Sequence, residues 1–163
     1  MKKILIILTA TLFITLTVKG QNLFFIGEES YPCTETITLQ TNSQSAIVSD
    51  LKVLFAKDGT TGLIVVGART LTEVFISGKL IIYLDDGAVI TCKNRVKYDY
   101  IDNIAKSVYN LTNEQLSKMK NSNINTVRYE LKSDKSYGSG EDGNYSASNK
   151  GTQTKTLITE FFD

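Results

Sequence analysis

The segment Gly78-Lys-Leu-Ile-Ile-Tyr-Leu-Asp-Asp-Gly-Ala-Val-Ile-Thr-Cys92 leaves the chain little choice of local structure. An Asp86-Gly87 pair flanked on both sides by β-branched and aromatic residues spells a hairpin, because both central positions of a two-residue type I′ turn need positive φ. With that turn Leu84 faces Val89, Tyr83 faces Ile90, Ile82 faces Thr91 and Ile81 faces Cys92. Both faces of the ribbon are then largely apolar, which suits the middle of a sheet or a ribbon under a covering element. Asp85 and Asp86 are adjacent and point to opposite faces, so turn formation explains them better than metal or acid–base chemistry.

Other runs extend the pattern. Ile37 and Leu39 alternate with Thr and Gln between Thr34 and Gln40, a half-exposed strand, and the polar stretch 41–50 is a connection. Leu51, Val53 and Phe55 lead through Lys57-Asp58-Gly59-Thr60-Thr61 into Leu63-Ile64-Val65-Val66, a second hairpin. Residues 94–103 read as a polar, tyrosine-bearing connection and Ala105 to Leu111 as a strand. Thr112, with Gln115 three residues on, forms a capping box opening a helix that Leu116 and Met119 continue and Asn121-Ser122-Asn123 ends. Ile124 to Leu131 alternates as a strand with one buried parity, and Leu157, Ile158, Phe161 and Phe162 form one stripe of a C-terminal helix. The expectation is a single α+β domain: a mainly antiparallel sheet of about six strands with a short internal helix and a C-terminal helix.

Met1-Lys2-Lys3, an uncharged run from Ile4 to Val18, and Val18-Lys19-Gly20 have the order of a secretory signal peptide, cleaved after Gly20. The apolar run spans about 22 Å as a helix, short of the roughly 30 Å hydrocarbon core, so a membrane anchor is the poorer reading. No second such span follows, and no membrane span is expected in the mature chain, residues 21–163. The reading is of an exported bacterial protein of the periplasm, cell surface or medium. Loss of Lys2, Lys3 and Lys19 leaves 15 of the 18 basic residues against 17 acidic ones, a net charge of −2. That balance disfavours nucleic acid, whose binding relies on neutralising phosphates. Export also turns Cys33 and Cys92 into a candidate disulfide closing a loop of roughly 60 residues.

The chain has no histidine. Ser-His-Asp and Cys-His catalysis, the HExxH zinc site and an imidazole pH switch are therefore closed to it. Asp99, Asp102, Glu114 and Glu73 are available for a carboxylate pair, but no spacing fixes one. Arg69, Arg95 and Arg128 are the only arginines, and nothing in the sequence groups them. The stretch Ser133 to Thr152 holds four glycines and five serines and reads as one long loop at 133–152. It lacks the Asp-x-Asp-x-Asn-Gly order of a calcium loop, and no metal or cofactor is expected. Its Tyr137, Asp142, Asn144 and Tyr145 instead resemble in composition an adaptable recognition loop. The function that follows is a small, non-enzymatic binding module for a protein or extracellular ligand, the alternative being a carboxylate- or calcium-dependent hydrolase of an envelope or extracellular polymer.

Overall fold

The computed structural model describes residues 22–44, 48–136 and 138–163, with backbone alone for 96–98. The signal segment 1–20 and Tyr137 lie outside the described residues. In chain order the elements are β1 (Asn22–Ile26), β2 (Glu29–Cys33), β3 (Ile37–Thr41), β4 (Leu51–Asp58), β5 (Thr61–Arg69), β6 (Phe75–Leu84), β7 (Val89–Ile101) and β8 (Ile104–Leu111). There follow α1 (Asn113–Asn121), β9 (Ile124–Lys132), β10 (Gly143–Ser148) and α2 (Thr154–Phe162).

Every strand pairing is antiparallel. Starting from β4, the neighbours run β5, β8, β7, β6, β9, β10 and β3, and β3 pairs back onto β4. The ring is an eight-stranded closed barrel; among the described residues 56% are strand, and the helices are two and short. The expected six-stranded α+β sheet is thereby corrected. Three strands escaped the periodicity reading altogether: β1, β2, and β10, which lies within the serine- and glycine-rich stretch. In addition β7 continues to Ile101 through what reads as a polar connection. Closure through β3 and β10 needs partners over 100 residues apart, Thr41 with Ala147 and Gln40 with Ser148.

The Asp-Gly hairpin forms, but one residue out of the expected register. Leu80 faces Cys92, Ile81 faces Thr91, Ile82 faces Ile90 and Tyr83 faces Val89. The Leu84 amide donates to the Ala88 carbonyl at 2.9 Å, enclosing Asp85-Asp86-Gly87, and Gly87 alone of the three has positive φ, 86°. This is the three-residue loop with a glycine bulge rather than the two-residue type I′ turn. The slip sorts the ribbon: Leu80, Ile82, Leu84, Ile90 and Cys92 turn into the barrel, and Val89 is half exposed outside.

The interior is filled by alternate residues of the ring, among them Leu39, Val53, Phe55, Ile64, Val66, Ile76, Tyr109, Val127, Tyr129 and Leu131. The capping box at Thr112 and Gln115 forms as expected, and Leu116, Met119 and Ile158 of the helices complete the core. They settle closely on the barrel end, for a side chain at Gly62 would meet the Phe162 ring at 3.0 Å and Leu116 at 3.2 Å. Among the described residues no helix is long and apolar enough to cross a membrane.

The β1–β2 hairpin lies outside the ring, joined to β4 where Cys33 faces Ala56. Phe24, Ile26, Tyr31 and Cys33 pack on the outward residues Leu54, Ala56, Leu63, Val65 and Val108, a second, smaller core. Arg95 of β7 pins it from the far side, pairing with Asp58 and lying 5.5 Å from the centre of the Tyr31 ring.

Candidate functional site

Of the residues singled out in the 133–152 stretch, Asp142 and Tyr145 are put to structural use, and Tyr137 lies outside the described residues. Asp142 accepts hydrogen bonds from the backbone amides of Ser133 at 2.7 Å and Ser139 at 3.1 Å, folding residues 133–142 on themselves. Tyr145 stacks on Tyr129 at 5.9 Å and donates its hydroxyl to the Glu141 carbonyl at 2.8 Å; burial raises its phenol above the ordinary value. Asn144 is exposed on β10, opposite Glu130. Glu141, only 2% exposed, accepts from the Leu71 and Thr72 amides at 2.7 and 2.6 Å and from the Thr72 hydroxyl. The stretch is therefore not one long loop but a latched loop followed by a barrel strand. Between it and Thr72 and Glu73 runs a groove of about 330 Å³, where Glu73 and Lys135 accompany hydroxyl-bearing residues and glycines.

The expected disulfide between Cys33 and Cys92 is not formed in this structure, where both cysteines are buried and free. Strand parity places Cys33 in the outer core beneath the hairpin and Cys92 in the barrel interior, on opposite faces of the wall. Burial pushes both thiols up, Cys92 to about 12, so neither resembles a nucleophile. Glu73, Asp99, Asp102 and Glu114 are all exposed, on the loop after β5, on β7, in the β7–β8 turn and on α1. Among the described residues no group of three or more Cys, Asp and Glu side chains is placed to hold a metal. The arginines stay dispersed: Arg95 pairs with Asp58, Arg128 donates to Tyr83, and Arg69 stands at the end of β5.

A different arrangement emerges on the outer wall of β4, β5 and β8. Register puts Lys52 beside Gly67 and Gly67 beside Lys106, a row of two ammonium groups flanking a position with no side chain. One row further along, Leu54, Val65 and Val108 are neighbours and run under the hairpin. On the other side Arg69 faces Ile104. The result is a groove of about 260 Å³ whose floor includes Leu54, Val65 and Ile104 and whose far border is Phe24 of β1. It shares Lys52, Gly67 and Ile104 with a second hollow of about 300 Å³ that reaches Ser49, Asp50 and Arg69. An alanine Cβ at Gly67 would meet only ordinary contacts, 3.5 Å from Ile104 and from Lys106, so the notch is open space rather than a packing necessity.

Three cations over an apolar floor form a chemically distinct surface on a chain whose charges otherwise nearly balance. Asp50 is the acid in the combined hollow, and its carboxylate is engaged by the Thr41 amide at 2.9 Å. Lys52 donates to the Thr38 hydroxyl at 2.7 Å, which anchors it at the rim without neutralising it. Among the described residues neither Lys106 nor Arg69 forms an ion pair. Sequence reasoning missed this site because its members come from three strands and only the cross-strand register unites them. The partial signal was Gly67, a glycine interrupting the apolar run of β5, where such a residue often marks close approach by a ligand or backbone. Compared with known proteins, the chain matches no family model, no curated protein and no solved structure.

Proposed function

We propose that this chain is an exported, non-enzymatic binding module that receives an acidic, partly apolar ligand in the groove between β1 and the β4–β5–β8 wall. The observation that carries this reading is the Lys52–Gly67–Lys106 row above an apolar floor. Two ammonium groups two strands apart stand roughly 10 Å from each other at the backbone, and the missing side chain between them leaves room for an anionic group. The apolar floor contributes by removing nonpolar surface from water, about 25 cal/mol per Å². Export rests on the leader at residues 1–20; cleavage after Gly20 leaves Gln21 alone ahead of β1.

The anionic aromatic dye anilinonaphthalenesulfonate tests the groove directly, because it combines one sulfonate with an apolar body. The expected result is saturable binding to the native protein. Gly67→Val, which fills the notch, and the double variant Lys52→Glu with Lys106→Glu each weaken it by about tenfold or more, with unfolding midpoints unchanged. Dye binding that ignores all three substitutions overturns the proposal.

A further inference from the structure

We infer that the groove's natural occupant is an extended peptide segment of another protein, added as a strand to the open edge of β1, with an apolar–acidic–apolar sequence at its centre. The inference rests on the groove reading above and adds to it the class of ligand and its mode of attachment.

Among the described residues β1 ends the sheet order, bonded to β2 on one side only. Its hairpin turns over two residues, Gly27 and Glu28; Gly27 has φ 60°, Glu28 does not have positive φ, and Ile26 faces Glu29 across the turn. In a two-residue hairpin the closing pair exchanges both of its hydrogen bonds, and bonded and non-bonded pairs then alternate. Phe24 with Tyr31 and Asn22 with Cys33 are the next bonded pairs, while Leu23–Pro32 and Phe25–Ser30 are not. The position of Pro32 fits this phase, since β1 does not call on its missing N–H. Leu23 and Phe25 therefore direct their N–H and C=O groups to the open edge.

The same two residues are among the most exposed large apolar side chains of the protein, 51% and 61%. Natural edges are usually protected by charge, proline or a covering segment. β1 carries no charge and no proline. Phe24, on the opposite face, lines the groove that holds Lys52, Gly67 and Lys106, so the open edge borders the basic row.

An added strand reads this surface residue by residue. Positions facing Leu23 and Phe25 share their outward face and bury apolar side chains beside them. The position between, opposite Phe24, turns toward the wall, where a carboxylate meets the Lys52–Gly67–Lys106 row. Main-chain hydrogen bonds give such a complex its affinity and the alternating side chains its selectivity.

The experiment uses capped synthetic peptides with a Val-Glu-Val centre, compared with a Val-Lys-Val counterpart, and reads amide hydrogen exchange together with affinity. The acidic peptide is expected to slow exchange at Leu23 and Phe25 by about tenfold or more and to bind about tenfold tighter than the basic one. Phe25→Pro, which deletes an edge donor, abolishes peptide binding yet leaves dye binding in place; Phe25→Ser, which keeps the N–H, retains part of the peptide affinity. Peptide binding without protection of these amides, equal binding by Phe25→Pro, or pairing of two copies through β1 in the absence of peptide overturns strand addition while the groove stands. Loss of the dye result described above removes the groove itself.

Discussion

Phe55 and Leu54 are neighbours on β4, yet they belong to different regimes. Phe55 points into the barrel with Leu80, Ile82 and Tyr109 and is fully buried; Leu54 points outward and is covered only as far as the hairpin reaches. The interior is enclosed by eight strands and by helices at one end, and the apolar residues that fill it are almost wholly buried. The outer core thins from Val65 and Val108, under the hairpin, to Ile104, in the groove. A wall that had to be stable for its own sake would close this gap with a larger residue than Gly67. The comparison locates stability inside the ring and recognition on the part of the wall where covering stops.

Truncation on the two faces of β4 is the sharpest way to break that comparison. Phe55→Ala is expected to cost about 3–5 kcal/mol, because the enclosed ring cannot collapse into the vacated space. Leu54→Ala, at a half-covered position, should cost about 1 kcal/mol. Urea unfolding followed by circular dichroism measures both, and equal losses would mean that the outer core is as integral as the inner one.

Alkali probes the interior next. Burial raises the Cys92 thiol from 9.0 to about 12 and pushes the Tyr109 and Tyr129 phenols up as well. Each group is held protonated by the fold, so its stabilisation is complete below the unfolded value and is lost as pH rises through the folded one. The window for Cys92 lies between about pH 9 and pH 12, and the loss from that thiol alone should reach about 2–3 kcal/mol by about pH 11. Cys92→Ala is expected to flatten the decline, measured as the urea midpoint from neutral to alkaline pH. A thiol reagent at neutral pH should label neither cysteine in the folded protein and both after denaturation; a single intact-mass shift on reduction would contradict the free thiols.

The latch at the far end of the barrel comes third in size. Glu141→Gln replaces an acceptor of three hydrogen bonds with a group that brings donors of its own, and about 2 kcal/mol is the expected loss. The 133–142 loop should then be cut by protease well before the barrel strands are. An unchanged cleavage rate would show that Asp142 alone holds the loop.

Local chemistry was legible in this sequence and closure was not. The capping box at Thr112, the hairpin of β4 and β5, and the alternation of β9 each depend on residues within a few positions of one another, and each forms. The Asp-Gly hairpin shows the limit, since its existence could be read but its register depended on whether Gly87 closes a two- or three-residue loop. β10 has the composition of a loop, Gly-Asn-Tyr-Ser-Ala-Ser, and becomes a strand because β9 and β3 supply partners on both sides. β1 and β2 take their strand form on the outer wall, a surface that exists only once the ring has closed. The groove shares that origin: Lys52, Gly67 and Lys106 are unremarkable apart and become a site through two registers. Tyr145, Asp142 and Asn144 had the right composition for recognition, but the first two spend their polar groups on the loop itself.

Arg95→Ala shares with Leu54→Ala the smallest change in global stability and is the most informative about how the two cores are joined. The guanidinium pairs with Asp58, donates to the Tyr31 hydroxyl at 3.2 Å and lies over its ring, while Tyr31 in turn bonds Glu29. The Arg95 and Asp58 side chains are 27% and 35% exposed, so solvent screens the pair and about 1 kcal/mol is the expected loss on unfolding. The local effect should be larger. Without this pin the hairpin retains its junction at Thr34, whose amide donates to the Phe55 carbonyl at 2.8 Å, but loses its hold at the Tyr31 end. Amides bonded between β1 and β2 should exchange faster while those of the ring keep their protection, and dye affinity should fall as Phe24 leaves the border of the groove. Lysine at position 95 restores the charge but neither the planar fork nor the stacking, so it rescues little. Unchanged exchange in the hairpin would assign its attachment to the small apolar core and make the groove's edge independent of Arg95.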